Sequence, residues 1–224
     1  MHLTPLLHLL HLVSPTLPVG MFAYSQGLES ATHQQWIQDE ASTQTWITGL
    51  LQNTLTYLDL AILARLHHAW QNNDLEQIEE WNSYLYASRE SAELRAEDKH
   101  LGLALARLLK ELNIPHAQDF YQQQKATCYA TLFSLAAVHW QIPVTETLTG
   151  YAWSWLENQT MAAVKLIPLG QTAGQRILLH TQMLIPQCVE RSLQLTDAEI
   201  GIFSPMLAIS SALHETQYSR LFRS

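Results

Sequence analysis

Asp39-Glu-Ala-Ser-Thr-Gln-Thr-Trp-Ile-Thr-Gly-Leu-Leu-Gln-Asn-Thr-Leu-Thr-Tyr-Leu-Asp-Leu-Ala-Ile-Leu-Ala-Arg-Leu-His-His-Ala-Trp70 has no proline and a single glycine, Gly49. Ile47, Leu50, Leu51, Leu55, Leu58, Ile62, Leu66 and Ala69 recur at the spacing of one helical face. Leu60 and Leu63 fall off that stripe, which predicts burial on two sides. The scarcity of breakers extends outward, since no proline and no other glycine occurs from Leu28 to Leu101. Such a stretch is hard to build from strands and tight turns. The chain has 38 Leu against 6 Val, which also favours helix over strand.

Working outward, Asp74 is placed to cap a helix running through Ile78, Trp81 and Leu85. Leu94, Leu101, Leu105, Leu108 and Leu112 are in phase on a helix from about Ser91, and Asn113-Ile114-Pro115 ends it. Further helices fit roughly 119–140, 145–167, 169–183, 186–195 and 205–214. Thr4-Pro5 and Ser204-Pro205 each read as an N-cap followed by a first-turn proline. The expected fold is all-α, a single-domain bundle of about ten helices over residues 1–213 with a tail at 214–224.

Of the 224 residues, 47% are apolar and only 14% charged, with a net charge of −8. Few charges among many apolar residues argue against disorder and for a surface that meets other proteins. No Lys or Arg precedes Arg65 and no basic run exists, so nucleic acid is a poor partner. Cys128 and Cys188 form no CxxC, which excludes a zinc ribbon or a disulfide framework and fits a reducing cytoplasm. The opening MHLTPLLHLLHLV lacks a basic leader, so no signal peptide is expected. No uninterrupted apolar stretch is long enough to predict a membrane span.

Three stretches stand out. The first, Ser14-Pro-Thr-Leu-Pro-Val-Gly-Met-Phe-Ala-Tyr-Ser-Gln-Gly-Leu-Glu29, interrupts the helical pattern with two prolines and two glycines and reads as a packed connector. Ala23-Tyr24-Ser25-Gln26-Gly27 approaches a nucleophile elbow, but an elbow needs a strand before it and the pattern supplies none. In the second, Leu148, Ala152, Trp155, Gln159, Ala162, Ala163 and Leu166 share one helical face, and Lys165 sits in the last turn. Gln171 and Gln175 follow on the next helix, so Gln159, Gln171 and Gln175 are expected to meet as a structural amide cluster inside a helical hairpin. The third is Leu213-His-Glu-Thr-Gln-Tyr-Ser-Arg-Leu-Phe-Arg-Ser224, where Tyr218, Leu221 and Phe222 form an apolar face flanked by Arg220 and Arg223. That pattern suits a segment folding into a partner's groove. Neither His8/His11 nor His67-His68 makes a metal motif, and no Walker A, GxGxxG or paired-carboxylate metal motif is present.

Taken together, SPTLPVGMFAYSQGLE, ESAELRAED with Gly102, AWSWLENQTMAAVKLIPLGQTAGQ and HETQYSRLFRS resemble the urease accessory proteins of the UreF type. The four blocks lie in order across nearly the whole chain. The resemblance implies a cytosolic, dimeric, non-enzymatic protein without a cofactor that helps load nickel into apo-urease. It implies a bridge between the UreD/UreH-type accessory protein and the GTPase UreG, with a proposed part in modulating the GTPase or guarding the fidelity of metal insertion. On this chain, His214, Glu215, Tyr218, Arg220, Leu221, Phe222 and Arg223 would dock on the UreD/UreH-type partner, from a tail mobile alone and ordered in the complex. Tyr24, Ser25, Glu29, Arg95, Glu157 and Lys165 are candidates for a UreG-facing or dimer surface, with Glu29→Ala expected to spare the melting temperature. Two rival readings remain: a metallochaperone holding nickel through His8, His11 or His67, and a small helical enzyme using Glu29, Glu157 and Ser25.

Overall fold

The computed structural model describes residues 3–123, 126–201 and 204–224. Among them there are helices and connectors and no strand. The elements are α1 (Leu3–Leu12), α2 (Leu28–His33), α3 (Glu40–Leu50), α4 (Ala61–Gln71), α5 (Leu75–Ala87) and α6 (Ala92–Glu111), followed by α7 (Ala117–Gln123), α8 (Tyr129–His139), α9 (Val144–Leu166), α10 (Gln171–Thr181), α11 (Ile185–Gln194) and α12 (Pro205–Glu215). This is the all-α bundle expected. No helix among the described residues is long and apolar enough to cross a membrane.

Side-chain caps start the helices where the sequence places them. Asp39 accepts from the Ser42 amide in a capping box, Asp74 from Gln77 and Ser91 from Leu94. Asn113 adopts a positive φ of 58° just past α6, ahead of Pro115. α1 begins two residues earlier than expected, at Leu3, so Thr4 lies inside its first turn rather than capping it.

α8 is buried on all sides from Tyr129 to Ala137 and packs against α4 and α6. Around it, the quoted stretch forms one unbroken helical run, but its middle, Leu51–Leu60, is π-helical. The wider π turn lets residues outside a 3.6-residue stripe face inward. Leu60 and Leu63 are fully buried with the stripe, and Asp59 is buried beside them.

The expected helix over 119–140 is broken in two. The chain before α8 is non-helical at 126–128 and crosses α6 at Gly102, where a Cβ would fall on the Thr127 carbonyl. Its backbone groups are satisfied by side chains instead of a helix. Asn82 on α5 donates to the Ala126 carbonyl at 2.8 Å and accepts from the Cys128 amide at 2.9 Å and the Thr131 hydroxyl at 2.8 Å. Asp98 on α6 accepts from the Tyr129 amide at 2.7 Å. Its other oxygen takes Arg89 Nε at 2.7 Å, while Arg89 Nη2 reaches Asp59 at 2.6 Å. Burial works against the Arg89 charge, but the two carboxylates outweigh it and hold its pKa well above the ordinary value.

The amide cluster is overturned. Gln159 is fully buried, but Gln171 and Gln175 are exposed. α10 turns Ala173, Gly174, Ile177 and Leu178 inward, because Gly174 allows Val164 of α9 to approach closely. Residues spaced i, i+4 at Gln171 and Gln175 therefore lie together on the opposite face.

Candidate partner-binding site

The connector between α1 and α2 turns on two glycines. Gly20 and Gly27 have φ of 83° and 77°, in the left-handed region that favours glycine. Gly27 also admits α12: a Cβ there would stand 3.2 Å from Ser210 Cβ, and Ser210 Oγ donates to the Gly27 carbonyl. This brings α2, α6 and α12 together around the C-terminal segment.

Residues 216–224 leave α12 and fold back as a strap. Glu29 on α2 is its main anchor. One Glu29 oxygen accepts from the Leu221 amide at 2.7 Å and the other from the Phe222 amide at 2.8 Å. The second oxygen also faces His214 Nε2 at 3.2 Å, while His214 Nδ1 faces Glu93 on α6 at 2.6 Å. Arg220 pairs with the other Glu93 oxygen at 2.7 Å. Further on, the Arg223 amide donates to Ala23, and the Ser224 carbonyl accepts from the Ser25 amide and hydroxyl. Phe222, only 6% exposed, fills a small apolar cluster with Leu28, Ala31, Ile37, Ala162, Ala163 and Ile167. Lys165 Nζ stands 5.8 Å from its ring centroid.

This arrangement corrects several expectations. The chain itself supplies the groove for Phe222, so the apolar face of the tail is not wholly unpartnered. His214 and Phe222 are buried, leaving Glu215, Tyr218, Arg220, Leu221 and Arg223 exposed. Tyr24, Ser25 and Glu29 are buried and form no outer surface in this fold. Arg95 is half-buried and donates to the Arg89 carbonyl, Glu157 is half-buried and Lys165 exposed. Burial raises the Glu157 carboxyl above its usual range. Ser25 spends its hydroxyl on Ser224 inside a helical fold, which removes the elbow reading.

Glu29→Ala is accordingly expected to lower stability, because it leaves two strap amides and His214 without their acceptor. The loss should be about 2–3 kcal/mol, or roughly 5–10 °C in melting temperature. Thermal denaturation followed by circular dichroism checks this. An unchanged midpoint would mean that Glu29 does not hold the strap.

Beside the strap lies a groove of about 280 Å³ between the α1–α2 connector and α9. Leu17, Val19, Met21 and Met161 contribute apolar wall, with Glu157 and Lys165 among the lining residues. Phe22 at this groove is largely exposed. Other exposed apolar side chains include Leu3, Leu6, Leu7 and Leu10 on α1, and Met206, Ile209 and Leu213 on α12.

The three histidines named as possible nickel ligands have structural contacts. His8 stacks on Trp140 at 5.1 Å, His11 tilts against the same ring, and His67 bonds the Ile142 carbonyl. Among the described residues no three His, Cys, Asp or Glu side chains are arranged to hold a metal. What sequence reading missed is the set of buried Asp59, Glu97 and Asp98 around the half-buried Arg89, because charged residues in a helical pattern read as solvent-facing.

Exposed apolar helix faces, an open groove and a folded strap define a helical protein built for contact with other proteins. The profile of the UreF family matches residues 37–182. The chain is 48% identical over 219 residues to the urease accessory protein UreF of Teredinibacter turnerae, covering 98% of each chain. It is 49% identical over 220 residues to urease accessory protein UreF 2 of Brucella anthropi, covering 98% of this chain and 96% of the relative. UreF of Alkalilimnicola ehrlichii is 46% identical over 213 residues, covering 95% and 93%. The chain therefore belongs to the UreF family of urease accessory proteins, which are maturation factors and not enzymes.

Proposed function

We propose that this chain acts in urease maturation as a cytoplasmic, dimeric scaffold that bridges a UreD/UreH-type accessory protein and a UreG-type GTPase while nickel is delivered to apo-urease. The observation that carries the reading is the outer side of the strap. Tyr218 is fully exposed and Leu221 largely so, with exposed Arg220 and Arg223 beside them. An aromatic and an aliphatic side chain flanked by arginines make a compact anchor for a partner. α12, from which the strap continues, adds Met206, Ile209 and Leu213 to the exposed apolar surface. We assign this end to the UreD/UreH-type protein. The groove with Phe22, Glu157 and Lys165 suits the GTPase, and the α1 leucines suit a second copy, since symmetric pairing buries such a row twice.

Co-purification of the full chain with the two accessory proteins tests the assignment. Tyr218→Ala with Leu221→Asp should abolish capture of the UreD/UreH-type protein and leave helical circular dichroism and the melting temperature unchanged. Lys165→Ala should weaken capture of the GTPase in the ternary mixture and leave the first partner bound. Full retention of the UreD/UreH-type protein by the double variant would reject the strap as its docking surface.

A further inference from the structure

The strap closes over a buried chain of hydrogen bonds for which the scaffold reading has no use. Ser224 Oγ stands 2.7 Å from one Glu97 oxygen, and Gln26 Nε2 donates to the other at 2.8 Å. Trp155 Nε1 donates to the Gln26 side-chain oxygen at 2.8 Å, which fixes the orientation of that amide. Glu97 is 3% exposed and lines a cavity of about 60 Å³ with Asp59, Arg89 and Asp98. The charges there do not balance. Arg89 is one cation shared by two carboxylates, so this group is already negative before Glu97 is counted. An ionised Glu97 would add a second uncompensated charge where water is scarce.

We propose that residues 216–224 form a proton-controlled strap, fastened over a neutral Glu97, whose proton lies on the oxygen facing Ser224 Oγ so that the serine accepts it, and loosened when that carboxyl ionises. Burial lifts the Glu97 carboxyl to about 7, against the hydrogen bonds from Gln26 and Ser224 that favour its charged form. With the strap open, the carboxyl meets water and returns toward its ordinary 4.5. The fastened state thus binds the proton more tightly than the open one. Fastening is strongest below about 4.5, weakens as pH climbs, and loses no more above about 7.

The neighbouring groups are few. Asp98 and Glu93 stand on α6, Arg89 in the turn before it and Asp59 on the π segment. Tyr129 on α8 and Tyr151 on α9 line the cavity, and burial raises both phenols, keeping them neutral through this range. On the strap side are Glu29 of α2, exposed Arg220 and Arg223, and His214 and exposed Glu215 of α12, the last accepting from the Ala92 amide that opens α6. His214 is the competing candidate, because it stands between Glu29, which holds the strap amides, and Glu93, which holds Arg220.

Hydrogen exchange of the full chain at about pH 5 and about pH 8, corrected for the intrinsic rate, reads the amides of Ser25, Leu221, Phe222 and Arg223. Their protection should fall about tenfold or more at the higher pH, the factor that one unit of pKa difference supplies. Glu97→Gln should keep high protection at both, and His214→Gln should keep the fall. A flat profile in the unsubstituted chain overturns the proposal, and so does a fall abolished by His214→Gln but retained by Glu97→Gln. If Glu97→Gln does not fold, carbon-13 titration of Glu97 in the unsubstituted chain decides. A midpoint coinciding with the loss of protection supports the strap, and a midpoint at the ordinary carboxylate value overturns it. The inference stands on the fold alone, so its failure would leave the partner assignment intact.

Discussion

Gly102→Ala is expected to cost more than about 3 kcal/mol, enough to lower the melting temperature by roughly 8 °C or to prevent folding. The added Cβ would fall on the Thr127 carbonyl oxygen, 2.8 Å from the Thr127 carbonyl carbon and 3.1 Å from that of Cys128. Backbone atoms cannot swing aside as a side-chain tip can. Here they are also pinned, since Asn82 holds Ala126 and Cys128 while Asp98 holds Tyr129. Relief would require α6 to separate from the start of α8, the most enclosed helix of the bundle. Gly49→Ala supplies the control. Nothing lies within 4 Å of a Cβ at that position inside α3, so the same substitution should stabilise by about 0.5–1 kcal/mol through helix propensity alone. Chemical denaturation of both variants reads the contrast. A Gly102→Ala protein within about 0.5 kcal/mol of the parent would show that the crossing is looser than described.

Arg89→Met is expected to cost about 3–5 kcal/mol near neutral pH. Methionine fills much of the same volume but leaves Asp59 and Asp98 buried together without their shared cation. Asp98 also receives the first amide of α8, so the disturbance reaches the helix packed at the centre. Neutralising one carboxylate should recover part of the loss, and urea denaturation should place Arg89→Met with Asp59→Asn between the single variant and the parent. A loss under 1 kcal/mol would falsify the view that these charges are sealed from water.

Both effects arise from contacts between residues distant in sequence, and this marks where sequence reading stops. The capped helices were legible because Asp74, Ser91 and Pro115 act within a few residues of themselves. The break before α8 was not, since Asn82 imposes it from another helix and the local pattern from 119 to 140 is helical throughout. Gln171 and Gln175 went to the wrong face because neighbouring Ala173 and Gly174 decide the approach of α9 through their smallness, which a hydrophobic stripe does not register. Glu29 was legible as special but assigned to the outside. Its role depends on amides of Leu221 and Phe222, nearly two hundred residues away. Glu97 and Asp98 close the block ESAELRAED on which the resemblance rests, but the charged residues around them hide their burial from a local reading.

The enclosure of Ser224 bears on how this chain can be handled in the laboratory. A purification handle or fluorescent fusion joined after residue 224 would start from a fully buried position and would have to pry the preceding residues loose to reach solvent. Preparations labelled there would report on an altered molecule, whereas α1 begins with the well-exposed Leu3 and offers a gentler point of attachment.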